Sequence, residues 1–328
     1  MPFVNRFPKN TELYRRIATK PGEMGGKKWL YRSIFVYCLL YKSCYNDSII
    51  SIQVEEEDLL YDRDYNQGPT DEEKQAYKDI TGFEFGMERE SGRFCRVVSP
   101  LSYPKAIRLY MTIFPNNYMD FVDLRDCDAL QEKNTQFLEL LNKKDVNERI
   151  ILNHIKETSS YHIIGAILNG IFAGTGHHGL YLFPEFQLGN AFTMDYLMCA
   201  RSSGGYEFFL VELENPNGDI TLKTGELGSE FRDGISQLRK WNRFLQSSYS
   251  AFTDTLKKYK NPTKDLSDEF YTFDISRFHY IVVAGRRSNF APLTYAIKRE
   301  LKKSDDITLL HYDNLVDYAT ALIGKVTY

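Results

Sequence analysis

Five cysteines in 328 residues, Cys38, Cys44, Cys95, Cys127 and Cys199, include no Cys-x-x-Cys pair and no regular interval. That excludes a zinc ribbon or a disulfide framework and predicts a cytoplasmic chain. Long apolar runs are missing as well. The most hydrophobic, Ile34 to Tyr41, is far short of the roughly 20 residues of a membrane span, and the N-terminus MPFVNRFPKN lacks the apolar stretch of a signal peptide. A soluble protein with no membrane partner is expected. There is little excess charge: a net charge of -3 rules out a uniformly basic nucleic-acid binder but leaves room for a local basic groove. No internal repeat, low-complexity tract, Gly-x-Ser-x-Gly elbow, Walker loop or zinc-protease helix is present, so the common hydrolase chemistries have no support.

What is there is the composition of a globular protein, 43% apolar and 26% charged, long enough for two domains. Charge is uneven along it. Residues 1–32 hold eight Lys/Arg against two acids, 55–90 hold thirteen acids against four Lys/Arg, and 221–260 hold eight Lys/Arg against four acids.

The most telling stretch is FFLVELENPNGDITLKTGELGSEFRDGISQLRKW, residues 208–241. Residues 206–214 are aromatic and branched and end in Asn-Pro-Asn-Gly, which predicts a strand. Side chains alternate along a strand, so Phe208, Leu210, Glu212 and Glu214 share a face, with the two acids about 7 Å apart. Upstream, YLFPEFQL (181–188) and AFTMDYLMCA (191–200) flank Gly189-Asn190 and predict a hairpin. Asp195 is an acid inside an apolar run, which costs stability unless it is paired, hydrogen-bonded or bound to metal. Asp195, then Glu212 and Glu214 on a neighbouring strand, resembles the PD-(D/E)xK nuclease signature.

A helix is expected before the hairpin, from about Glu157 through Ile164, Ile167 and Ile171, and another over 228–246. The latter carries an apolar stripe of Phe231, Ile235, Leu238 and Leu245 and a polar stripe of Glu230, Asp233, Gln237 and Lys240. Residues 248–270 read as a polar loop or frayed arm. Strands are predicted at 278–284 and 307–311, and helices at 292–303 and 314–323.

VELENP, LKTGELGSE, the helical Gln237-x-x-x-Trp241, VVAGRRS and LLHYDNLVDYA together resemble the Shedu family of bacterial anti-phage defence proteins over residues 150–328. The resemblance implies an α/β (α+β), restriction-endonuclease-like PD-(D/E)xK core with a mixed sheet, residues 131–328. It also implies a variable N-terminal sensing or regulatory region, residues 1–130, read here as a small α+β domain. The implied activity is DNA hydrolysis with Mg²⁺, or Mn²⁺, on phage or foreign DNA, by a homo-oligomer for which a tetramer is suggested. On this reading Asp195 and Glu212 hold the ion, with Glu185 and Glu157 as further candidate ligands, and Gln237 positions substrate. Arg239, Lys240, Arg286 and Arg287 are candidate DNA contacts. One departure stands out: Glu214 occupies the superfamily's lysine position, leaving Lys223 and Lys240 as candidate replacements and Glu214 as a candidate ligand or water orienter. The alternatives are an inactive nuclease fold that binds nucleic acid, and a scaffold in which the acids are only salt-bridged.

Elsewhere, residues 29–54 read as paired strands. Thr70 and Glu73 predict a helix start with a capping box, FEFGMERESGRFCRVV predicts a hairpin at Ser91-Gly92, and 104–114 is mixed in period and unassigned. The acidic segment 55–80 is a solvated loop or a nucleic-acid mimic. Residues 128–156 predict a connecting helix or helix pair. His177-His178 sits among glycines and reads as a turn rather than a metal site, since no third ligand has a recognisable spacing.

Overall fold

Gly189, with φ +61, turns the chain between β2 (Leu180–Leu188) and β3 (Phe192–Ser202), so the predicted hairpin is present. The computed structural model describes residues 63–81, 104–171, 179–218, 220–325 and 327–328. All of them lie in the second of two compact units of the chain, Glu55–Tyr328. The strands expected over 29–54, the hairpin at Ser91-Gly92 and the His177-His178 turn lie outside the described residues.

Six strands form one mixed sheet in sequential order. β1 (Tyr118–Met119), β2, β3 and β4 (Gly205–Leu213) are antiparallel neighbours; β5 (Phe278–Val283) and β6 (Ile307–Leu310) continue the sheet in parallel. Among the described residues eight helices accompany the sheet, making the fold α+β. They are α1 (Asp71–Thr81), α2 (Pro104–Met111), α3 (Cys127–Leu141), α4 (Glu148–Glu157), α5 (His162–Ile171), α6 (Ser229–Tyr259), α7 (Pro292–Asp305) and α8 (Tyr312–Leu322). The order α5, β2–β3–β4, α6, β5 is the one expected from the sequence. No helix among the described residues is long and apolar enough to cross a membrane.

Each sheet face buries its own apolar layer. Phe209, Val211 and Leu213 of β4 pack with Ile151, Ile163, Ile167 and Leu315 from the helices of one side. Phe208 and Leu210 pack with Phe231, Leu238 and Trp241 of α6 on the other. The alternation that sorts them is interrupted once in β2 and once in β3. On the α6 side β2 presents Tyr181 and Phe183, then Phe186 and Leu188, while β3 presents Met194, then Leu197 and Cys199. Each strand absorbs one extra residue, as at a bulge. The ladder pairs Pro184 with Tyr196 and Phe186 with Met194, which leaves Glu185 and Asp195 between them. Glu185 takes φ +47, a conformation that favours glycine and turns its side chain out of the strand pattern.

Several boundaries differ from expectation. Helix α6 does not end at 246; it continues to Tyr259, across a kink at Ser248 (φ -145, ψ 42). Tyr249, Phe252 and Leu256 keep the buried stripe going at spacings of three and four, a signal masked by the polar residues between them. The helix expected to begin near Glu157 is two helices, separated at Ser159, where φ is +50. Glu157 is therefore at a helix C-terminus. Residues 104–111 form a helix with Pro104 at its start, where a missing N–H does no harm. The capping box is present: Thr70 Oγ1 accepts the Glu73 N–H at 3.2 Å, and Glu73 Oε2 accepts the Thr70 N–H at 2.7 Å.

Candidate functional site

The β3–β4 ladder runs from Ser202 and Gly205 to Tyr196 and Val211, and the next step would set Asp195 opposite Glu212. There the strands part. Asp195 Oδ2 accepts the Leu213 N–H at 2.7 Å, so a carboxylate takes a backbone donor that a neighbouring strand's carbonyl would otherwise satisfy. β4 continues along β5 instead, where Glu212 pairs with Val282, and the Glu214 N–H donates to the Val283 carbonyl at 2.8 Å. The two acids thus stand at a cleft in the sheet, held by the hairpin on one side and the parallel strand on the other.

Glu212 lies on the α6 face, only 7% exposed. Its Oε1 accepts from Gln237 Nε2 at 2.5 Å, and its Oε2 is buried without a hydrogen-bond partner. Glu214 points to the same helix: a Cβ on Gly234 would lie 3.1 Å from Glu214 Oε1 and 2.6 Å from Val282 Cγ1, so glycine leaves the room this contact needs. Behind the site the fully buried Tyr312 donates its hydroxyl to the Glu214 carbonyl at 2.7 Å.

The electrostatics are those of acids crowded together out of water. Burial raises the Glu212 carboxyl far above the usual range, and the charges of Asp195, Glu214 and Glu148 add to the shift. Asp195 is likewise raised, first by burial and then by Glu148 and Glu185, against the Leu213 hydrogen bond and the Arg149 charge, which lower it. Glu214 is pushed up to about 8 by burial, then by Glu148, Glu230, Asp195 and Asp233. Glu148 itself is raised by burial. These are departures of the kind concentrated at functional sites.

Glu148 went unnoticed in the sequence. It opens α4, capped by Asn147 Oδ1, which accepts the Ile150 N–H at 3.0 Å. An Asn followed by Glu and the apolar Ile151, Leu152 and Ile155 is a helix-start signal that would have marked it. It is the acid of this helix that acts on Asp195 and Glu212, whereas Glu157 is exposed at the far end of the same helix and does not join the acids. Glu185 lies at the edge of the site, its carboxylate shared with Arg149 at 3.2 Å and Lys156 at 3.8 Å.

The candidate cations are placed elsewhere. Lys223 is exposed in the turn closed by the Thr221–Leu227 bridge, and Lys240 is exposed one helical turn past Gln237. Neither side chain has a hydrogen bond or ion pair among the described residues. Arg239 pairs with Asp305 at 3.4 Å. Arg286 and Arg287 are engaged in holding the C-terminal helix. Arg286 donates to both Asp313 carboxylate oxygens and, at 2.6 Å, to the Leu141 carbonyl, while Arg287 pairs with Asp317. Removing Arg286 strands a half-buried Asp313 and a carbonyl at the end of α3. Arg286→Ala is expected to cost about 2 kcal/mol in denaturant unfolding; a loss below ~0.5 kcal/mol would show that the Arg286 contacts do not hold the fold.

The donor set suits a hard divalent cation. Among the described residues no three His, Cys, Asp or Glu side chains form a complete metal cage. Asp195 and Glu212 still offer the one or two carboxylates with which magnesium is ordinarily held beside waters and phosphate. The orphaned Glu212 Oε2 is the particular observation that fits: neither as carboxylate nor as acid does it have a protein partner.

An α+β domain with paired carboxylates at the parting of two central strands is the class that fold and site define. Residues 123–316 match the family model described as Shedu protein SduA, C-terminal, and the chain belongs to that family. The membership indicates a role in anti-phage defence. No curated protein matches the chain in sequence.

Proposed function

We propose that the protein is a metal-dependent DNA endonuclease or nickase of the PD-(D/E)xK type, acting on foreign DNA in the cytoplasm as a homo-oligomer. Residues 1–130 serve as the sensing or regulatory part. The observation that carries this reading is the Asp195–Glu212 pair at the strand cleft, one carboxylate oxygen unpartnered and both groups shifted in the direction that a cation would reverse.

Asp195 and Glu212 would hold Mg²⁺ or Mn²⁺, which supplies a bound water of lowered pKa and offsets charge on the phosphate. The chain's own residues do the positioning. Gln237 fixes the rotamer of Glu212 through its 2.5 Å hydrogen bond. The Leu213 N–H orients Asp195. Glu214, kept near neutral pH in its proton affinity, stands where it can take up or release a proton. Arg149 is the cation whose charge acts on Asp195, and it joins Lys223 and Lys240 as a candidate for the role of the superfamily lysine.

Purified full-length protein is expected to nick or cut DNA with Mg²⁺ or Mn²⁺ and to lose that activity in EDTA. Cleavage indifferent to chelation refutes the mechanism. A second reading is favoured by Glu214 at the lysine position: a nuclease fold that binds nucleic acid without cutting it. It predicts salt-dependent DNA affinity and no products with any divalent ion.

A further inference from the structure

Gln237, which meets Glu212 of β4, marks one side of α6, and a row of arginines occupies another. At 100° per residue, Arg232, Arg239 and Arg243 fall within about 40° of one another and more than 100° from Gln237. With Ser236 and the apolar Ile235, Ile297 and Leu301 they line an open groove of ≈ 380 Å³ between α6 and α7. A second hollow of ≈ 440 Å³ adjoins it, sharing Arg239 and adding Tyr280, Lys302 and Lys303 along with Asp305 and Asp306, the last paired with Lys302 at 2.6 Å. Tyr280 is 3% exposed and its hydroxyl is buried with no partner.

The cations of this groove are largely uncommitted. Arg232, Arg243 and Lys303 have no side-chain hydrogen bond or ion pair among the described residues. Arg239 meets Asp305 at 3.4 Å with both side chains substantially exposed, a contact worth little. Guanidinium groups held at fixed stations on a rigid helix suit phosphate oxygens, which they contact two at a time. The row is too long for one phosphate. Arg232 to Arg243 spans about 16 Å of helix rise, whereas each strand of a duplex advances about 3.4 Å per phosphate. A polymer of phosphates fills it; a mononucleotide does not.

There is also a reason for such a groove to exist. The acid site gives a polyanion little to hold before a divalent cation is bound, since Arg149, which acts on Asp195, is already shared with Glu185. Affinity for nucleic acid has to come from another surface. We infer that the α6–α7 groove, through Arg232, Arg239 and Arg243, is a nucleic-acid backbone site that grips DNA away from the scissile bond. This inference rests on the reading that DNA is the substrate.

The test is equilibrium binding of full-length protein to a fluorescent duplex of about 30 base pairs in EDTA, so that nothing is cut, over a series of salt concentrations. The Arg232→Ala/Arg239→Ala/Arg243→Ala variant is expected to bind at least ~10-fold more weakly at low salt. The slope of log K against log salt should shrink by about 2–3, close to one per lost phosphate contact. The corresponding triple lysine variant should keep most of the slope, and Lys257→Ala/Lys258→Ala, at the far end of the same helix, should keep all of it. A triple alanine variant with wild-type slope overturns the groove, as does equal loss in the Lys257/Lys258 control. A change in oligomeric state with binding intact overturns it too, by making the groove a contact between copies. If the wild type itself shows no salt-dependent affinity, DNA is not the ligand and the reading beneath the groove fails first.

Discussion

Glu212→Gln and Asp195→Asn are each expected to lower divalent-dependent DNA cleavage by at least about 10³-fold, several kcal/mol of transition-state stabilisation. The two changes are chosen to leave the fold alone. A glutamine at 212 still offers an oxygen to Gln237, and an asparagine at 195 still offers one to the Leu213 N–H, so both 2.5 Å and 2.7 Å contacts have acceptors. What each removes is one carboxylate ligand for the ion at the strand cleft. Circular dichroism should be unchanged, and binding in EDTA should hold, because burial already favours the protonated form of both groups when no cation is present. Either variant cutting at the wild-type rate would move the chemistry to another part of the molecule.

The second expectation concerns the metal-free protein. Glu214, Glu212 and Asp195 all hold their protons more tightly folded than unfolded. An acid of that kind contributes stability that is complete below its unfolded pKa and is lost as pH rises through the folded value. For Glu214 the window runs from about 4 to about 8. In EDTA the melting temperature should therefore fall between pH 5 and pH 8.5. Magnesium should restore it most at the high end, since the ion competes with protons for the same oxygens. At ~100 times its dissociation constant a bound ion adds about 2.7 kcal/mol, or roughly 5–10 °C for a domain of this size. Glu212→Gln removes a carboxyl that must take up a proton on folding at pH 8, and should raise the metal-free melting temperature there by a few degrees while abolishing most of the magnesium response. A wild-type melting curve flat from pH 5 to 8.5 with and without magnesium is incompatible with this account.

Much of the fold was legible because its signals are local. The β2–β3 hairpin followed from Gly189-Asn190 between apolar runs, β4 from its aromatic and branched residues, and the α1 start from Thr70 and Glu73. The parts that were misread depend on packing. The polar residues of 248–270 read as a loop, but Tyr249, Phe252 and Leu256 among them are buried and hold α6 together across the kink. Simple alternation placed Glu212 correctly. It gave no hint that β2 and β3 each carry an extra residue, which sets Asp195 opposite Glu185 on one side and at the cleft on the other. The helix-start signal at Asn147 marks Glu148 as an α4 residue but not as a site acid, because its approach to Asp195 and Glu212 is a tertiary event. Likewise Arg286 carried the look of a phosphate ligand, and only the fold shows Asp313 and the Leu141 carbonyl already waiting for it.

The sheet's connectivity has a further consequence, for the order in which the molecule assembles. β2, β3 and β4 form a meander whose contacts are near in sequence and quick to close. The pairing of Glu212 with Val282 bridges the whole length of α6 and the loop after it, and such distant closures are slow. During synthesis the cleft therefore lacks its parallel wall until β5 has left the ribosome, and Glu214 lacks Tyr312 until α8 has been made as well. On the proposed nuclease reading, a nascent or truncated chain ending before β5 should show no DNA cleavage.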